Sequence, residues 1–180
     1  MSANVKHLTS IVVLNYNAGD LLLNCIESVY KTQTHKFEVI VVDNISTDSS
    51  HKKCKEKFPQ IRLIENKENL GYCEGNNVGI RNANGEFIVI LNPDTKVESN
   101  WLEELFNAYE KFGDGLYQPK IIAFEDNLFE SGGNMLQMFG FGYSKGRGMP
   151  DLGQFDESGQ IGYASGACLF TKTNILKKIG

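Results

Sequence analysis

Residues Ser10–Lys31 read S-I-V-V-L-N-Y-N-A-G-D-L-L-L-N-C-I-E-S-V-Y-K. Ser10–Leu14 is a short, β-branched apolar run that suits a strand. From Asp20 onward Leu22, Leu23, Ile26, Val29 and Tyr30 recur at roughly helical spacing, so a helix over Asp20–Lys31 follows. The same alternation continues downstream. Phe37–Val42 reads as a second strand, Ser46–Phe58 as an amphipathic helix and Ile61–Glu65 as a third strand. Gly71–Asn82 reads as a helix with small residues and Glu86–Leu91 (E-F-I-V-I-L) as a fourth strand. Near-continuous apolar strands separated by helices predict a mostly parallel sheet covered on both faces, an α/β fold that is doubly wound and Rossmann-like up to residue 91.

Beyond Leu91 the rhythm changes. A turn over Asn92–Thr95 leads to a helix from about Ser99 to Phe112 and then to a glycine-rich stretch. Gly132, Gly133, Gly140, Gly142, Gly146, Gly148 and Gly153 share it with Phe139, Phe141, Tyr143 and Phe155, which predicts a mobile, partly aromatic loop, either a surface excursion or a substrate lid. Ile161–Phe170 reads as another strand, and Asn174–Ile179 as a helix meeting Gly180, a residue type favoured just past a helix end. With 180 residues, no internal repeat and no low-complexity tract, a single domain over residues 1–180 is expected.

Composition narrows the functional classes. The chain is 41% hydrophobic and 22% charged, which is the balance of a globular domain. The net charge of -4 provides no electrostatic footprint for nucleic acid. Lys52, Lys53, Lys55 and Lys57 are interleaved with Glu56 at helical spacing and read as a solvated helix face. No apolar run approaches the roughly 18 residues that span a bilayer, and Met1–Ser10 lacks the pattern of a secretory signal, so the cytoplasm is the expected compartment. Cys25, Cys54, Cys73 and Cys168 form no C-x-x-C pair and share no ligand spacing with the histidines; they are expected to be buried or idle thiols.

In an open parallel sheet, ligands collect at the carboxyl ends of the strands, where loops and helix N-termini present backbone N–H groups. Here the first strand ends in Leu14-Asn15-Tyr16-Asn17, the second in Val42-Asp43-Asn44 and the fourth in Leu91-Asn92-Pro93-Asp94-Thr95. Each polar group alone is explained by capping or turn formation. Three at one sheet edge point to a binding site. A dinucleotide site would use Asp43 as a ribose-binding acid, but Asn15-Tyr16-Asn17-Ala18-Gly19 is bulky where that fold needs G-x-G-x-x-G. There is no Walker sequence either.

Taken together, V-V-L-N-Y-N (Val12–Asn17), V-V-D-N-I-S-T-D (Val41–Asp48), N-L-G-Y-C-E-G-N-N-V-G-I (Asn69–Ile80) and F-I-V-I-L-N-P-D-T (Phe87–Thr95) resemble the family 2 glycosyltransferases of GT-A fold. The subgroup they most resemble is rhamnosyltransferase-like, in which N-P-D stands where many relatives have D-x-D. Tyr163–Leu169 is similar to a later strand near the acceptor, and the resemblance runs from Leu8 to Gly180. It implies an inverting transfer of sugar from a UDP- or dTDP-sugar to a saccharide or lipid-linked acceptor, in polysaccharide or cell-surface glycan synthesis. It also implies that Asn15, Tyr16 and Asn17 pack against the nucleoside, that Asp43 hydrogen-bonds the base, and that Gly71, Asn76 and Asn77 lie beside the donor. Asp94 would hold a divalent cation, Mg²⁺ or Mn²⁺, bridging the phosphates, with Asn92 offering a neutral carbonyl oxygen and Pro93 stiffening the turn.

Inversion needs a general base for the acceptor hydroxyl. The resemblance places it in an acidic pair after the helix that ends at Gly180, so the chain reads as truncated before its base. Phe155-Asp156-Glu157 precedes the strand that such a pair should follow and reads as a solvent-facing loop; Glu125, Asp126 and Asp151 are equally unsupported as bases. Two alternatives stand beside this reading: a non-catalytic nucleotide-sugar-binding module and, less well supported, a nucleotidyltransferase, which would need a basic glycine-rich loop after the first strand. Peripheral membrane association of the full-length protein and a homo-oligomer remain open at this point.

Overall fold

The computed structural model describes residues 7–32 and 35–179. In chain order the elements are β1 (Leu8–Asn15), α1 (Asp20–Val29), β2 (Lys36–Asp43), α2 (Ser50–Lys57), β3 (Arg62–Glu65), α3 (Gly71–Asn82), β4 (Phe87–Leu91), α4 (Trp101–Phe112), β5 (Ile121–Ile122), β6 (Phe129–Ser131), β7 (Asn134–Leu136), β8 (Gly142–Ser144), β9 (Cys168–Lys172) and α5 (Thr173–Ile179). The five-stranded sheet has the order β3-β2-β1-β4-β9. β1 pairs in parallel with β2 and β4, and β2 with β3, whereas β9 runs antiparallel to β4. The mostly parallel, doubly wound α/β reading therefore holds, with one antiparallel edge.

Both faces of the sheet are covered, and alternate residues of each strand feed two cores. Ile11, Val13, Val39, Val41, Val89 and Leu91 pack with Leu22, Ile26 and Val29 of α1, Cys54 of α2 and Leu102, Leu105 and Phe106 of α4. Val12, Ile40, Val42, Ile88 and Ile90 pack with Ile80 of α3 and Leu176 of α5. The central strands are buried on both sides, which is why they read as unbroken apolar runs. α3 lies unusually close to β1: a Cβ on Gly79 would overlap the Val12 side chain. That close seat brings the start of α3 beside the strand ends.

Two expectations need correction. The glycine-rich segment is not a bare loop: β5 pairs with β6 and β7 with β8. A buried polar knot holds it, in which Asn134 Oδ1 accepts from Ser131 Oγ at 2.9 Å and Ser144 Oγ at 2.8 Å while its Nδ2 donates to Gln118 Oε1 at 2.7 Å. Several glycines serve aromatic packing, since a Cβ on Gly132 or Gly146 would overlap the Phe155 ring. Second, the last strand begins at Cys168, and the preceding residues make a single bridge, Tyr163 to Asn134. The expected role of Gly180 and the reading of Met1–Lys6 fall outside the described residues. The cysteines are free, with Cys25, Cys54 and Cys168 buried and Cys73 exposed. Among the described residues no helix is long and apolar enough to cross a membrane.

Candidate functional site

The loops after β1 and β2 are laced together by side chains. Asn15 is fully buried, and its Nδ2 faces Asp43 Oδ1 at 2.8 Å and the Ser46 and Ser50 hydroxyls at 2.9 Å each. Asp43 is 3% exposed; its Oδ2 accepts from the Ser46 backbone N–H at 2.9 Å. The turn it closes contains Ile45 at φ 61°, a left-handed conformation that a β-branched residue adopts only when its surroundings enforce it. Asn17, at φ 53°, accepts from the Thr47 N–H at 2.7 Å through Oδ1. Gly19 N donates to Asp48 Oδ2 at 2.8 Å, and Asp48 Oδ1 accepts from the Ser50 N–H and hydroxyl at 2.9 and 2.7 Å. Burial pushes the Asp48 carboxyl up, but the hydrogen bonds from Ser50 and Gly19 outweigh it and hold the group below its ordinary value.

Behind Asp43 stands His51, which is 4% exposed. Its Nδ1 is 3.3 Å from Asp43 Oδ1 and its Nε2 3.3 Å from Glu65 Oε1. Asn44 ties the end of β2 to the start of α3, because its Nδ2 donates to the Gly71 carbonyl at 3.0 Å while its Oδ1 accepts from Asn66 at 2.7 Å. Asn76 is buried and donates to the Tyr72 carbonyl at 3.0 Å. Buried side-chain atoms without a hydrogen-bond partner include Asn15 Oδ1, His51 Nδ1 and Asn76 Oδ1, all on residues at this edge or within α3. Of these, Asn15 Oδ1 lies at the end of β1 itself, where a ligand or water can complete its bonding.

The third strand end is the 92–95 turn. Thr95 N–H donates to the Asn92 carbonyl at 3.2 Å, with Pro93 and Asp94 as the central residues, and proline's fixed φ suits the first of these. Cys25 Sγ approaches the same carbonyl at 3.5 Å, anchoring the turn to α1. Asn92 N donates to the Ala167 carbonyl at 3.0 Å, joining the turn to the segment before β9. Asp94 is exposed, and Tyr16 is 56% exposed. Tyr72 reaches across from α3: its hydroxyl donates to the Gly166 carbonyl at 2.9 Å and lies 3.3 Å from Asn92 Oδ1.

The structure thus brings Asn15, Tyr16, Asn17, Asp43, Gly71, Asn92 and Asp94 to the carboxyl edge of the sheet, with Asn76 one turn into α3. Asn77 sits apart from this network, and its amide points to Glu74 Oε2 at 3.3 Å. Asn44, Ser46, Asp48, Ser50 and His51 brace the loops of this edge, and Tyr72 contacts the 92–95 turn from α3; the sequence reading assigns none of them a role. For Asn44, Ser46, Asp48 and Ser50 the one visible signal is the density of short polar residues in Asp43–Ser50; His51 and Tyr72 have none. Among the described residues no group of three or more His, Cys, Asp or Glu gathers as a metal cage. One carboxylate and one amide oxygen at the turn suit a cation that takes its remaining ligands from phosphates. Two acids of the glycine-rich segment are ion-paired: Lys120 Nζ binds Asp151 at 2.7 Å and Asp156 at 2.5 Å. The Lys120 hydrogen bond holds the Asp151 carboxyl below its ordinary value, which weakens it as a base.

A doubly wound sheet with polar strand ends, an antiparallel edge strand and an acid-bearing turn beside it is the architecture of the GT-A fold. The fold is shared with the Pyrobaculum calidifontis mannosyltransferase PcManGT, solved with GDP-Man and Mn²⁺, at TM-score 0.67 and 18% identity over 97% of this chain and 47% of that one. It is shared also with S. aureus TarS 1-349, solved with UDP-GlcNAc, at TM-score 0.60 and 21% identity over 66% of this chain and 35% of that one. The chain belongs to glycosyl transferase family 2, which it matches over residues 10–180. Among curated proteins it is 34% identical to glycosyltransferase GlyG of Streptococcus pneumoniae serotype 4 over 72% of this chain and 43% of that protein. It is 25% identical to the low-salt glycan biosynthesis hexosyltransferase Agl10 of Haloferax volcanii over 95% of this chain and 54% of that protein. The chain therefore spans about half the length of these two relatives.

Proposed function

We propose that these residues form the donor-binding part of an inverting glycosyltransferase that moves a sugar from a UDP- or dTDP-sugar to a saccharide or lipid-linked acceptor in cell-surface glycan synthesis. The observation that carries this reading is the convergence of Asn15–Asn17, Asp43 and Asn92–Asp94 at one sheet edge beside the start of α3. Tyr16 flanks the nucleoside, and Asp43 accepts the ring N–H of the pyrimidine while also anchoring its own loop; each carboxylate oxygen keeps a second lone pair for that purpose. Asp94 and the Asn92 side-chain oxygen would hold Mg²⁺ or Mn²⁺ on the phosphate side of the donor. When bound, such a cation offsets charge on the departing nucleoside diphosphate. Gly71 and Asn76 line the donor side, and Asn77 supports α3 from outside the site. The general base comes from residues outside these 180, as the greater length of the relatives and the Lys120-bound acids both favour.

The test is calorimetric titration of UDP, dTDP and GDP, with and without Mn²⁺, into the chain and into Asp94→Ala. Pyrimidine diphosphate binding that is strengthened by Mn²⁺, with the strengthening lost in Asp94→Ala, is expected. No binding of any of the three, under either condition, refutes the reading.

A further inference from the structure

The contact between Tyr72, Gly166 and Asn92 has a property that proton counting exposes. A phenol carries one proton. At 2.9 Å the Gly166 carbonyl receives it, and that carbonyl has no proton to return. The Asn92 amide at 3.3 Å must then either face the phenol oxygen with its own oxygen, two acceptors without a proton between them, or turn half a revolution and donate from its NH₂. The two amide orientations fill the same volume, so packing does not choose between them. Hydrogen bonding does. A phenol keeps its proton across the neutral range, so it is there to be donated. The arrangement is also built to fit: a Cβ on Gly166 would overlap the Tyr72 hydroxyl, so only glycine at 166 lets the phenol reach that carbonyl.

We propose that Tyr72 is a positioning residue for Asn92: by donating to Gly166 it takes the Asn92 NH₂ as its own hydrogen-bond donor and turns the Asn92 carbonyl oxygen outward, toward the phosphate side of the turn. This rests on the proposed donor site and explains how an asparagine can serve beside Asp94. A carboxylate at 92 presents an oxygen in either orientation, but an amide presents one in only one. The Tyr72–Gly166 pair supplies the choice.

The experiment measures UDP affinity with and without Mn²⁺, by calorimetry, for the chain and for Tyr72→Phe, Gly166→Ala, Asn92→Asp and Tyr72→Phe with Asn92→Asp. In Tyr72→Phe and Gly166→Ala the Mn²⁺-dependent gain in UDP affinity falls by about 10-fold or more, the scale seen when a residue orienting a metal ligand is removed. Metal-free UDP affinity stays within about twofold, well below that scale. In Asn92→Asp the phenol no longer matters, so adding Tyr72→Phe costs nothing further. Equal losses with and without Mn²⁺ overturn the proposal, because they mean that Tyr72 touches the nucleotide or shapes the cleft. A loss in Tyr72→Phe that Asn92→Asp fails to rescue overturns it too. Absence of UDP binding by the unaltered chain would remove the donor site itself, and is distinguishable because it precedes any variant.

Discussion

Replacing Asp43 with alanine separates its structural work from its proposed contact with the donor. The carboxylate accepts from the Ser46 N–H at 2.9 Å and from Asn15 Nδ2 at 2.8 Å, in a position that is 3% exposed. Leaving a buried donor unsatisfied costs about 1–3 kcal/mol. Ser46 N loses its acceptor outright, whereas Asn15 keeps the Ser46 and Ser50 hydroxyls at 2.9 Å, so its share falls at the low end. The sum is about 2–4 kcal/mol. For a domain of this size each kcal/mol lowers Tm by about 2–4 °C, so Asp43→Ala should melt roughly 4–16 °C lower. Thermal denaturation followed by circular dichroism reads this directly. Asp43→Asn, which keeps one acceptor oxygen, should fall between the two. A melting temperature within about a degree of the unaltered chain, against the expected several degrees, would refute the argument that this carboxylate holds the left-handed turn at Ile45.

Gly79→Ala should destabilise by about 1–3 kcal/mol, because the added methyl overlaps Val12; combining it with Val12→Ala should recover part of that loss, and strict additivity in urea denaturation would contradict the close seat of α3. Asp48, held below its ordinary value of 3.8, contributes stability that is complete above that value and is lost as pH falls through the lower folded value. Asp48→Asn should therefore flatten the acid limb of a stability-against-pH curve while its stability relative to the unaltered chain is worst near neutrality.

The alternation of apolar strands and helices was legible because the sheet is covered on both sides, so burial wrote continuous runs into β1, β2 and β4. The placement of Asn15, Asp43 and Asp94 followed from topology: once the strands are parallel, all three fall at the same edge. Other features depended on contacts that spacing does not encode. The sequence suggests a helix from Ser46, but it starts at Ser50 because Ile45 and Ser49 adopt positive φ and Asp48 claims the Ser50 N–H. The glycines at 132 and 146 read as flexibility until the Phe155 ring is seen against them. His51 and Tyr72 were overlooked because each acts across the fold, on residues 8 or 14 positions and 20 or 94 positions away respectively.

The lacing of the first two loops bears on the thermodynamics of ligand capture. Asn15, Asn17 and Gly19 on one side and Asp43, Thr47 and Asp48 on the other already fix each other's backbone. A nucleotide bound as proposed would meet segments whose freedom was surrendered when the chain folded, so little ordering entropy would remain to oppose binding. Such a surface favours recognition by fit to a standing shape over closure around the ligand.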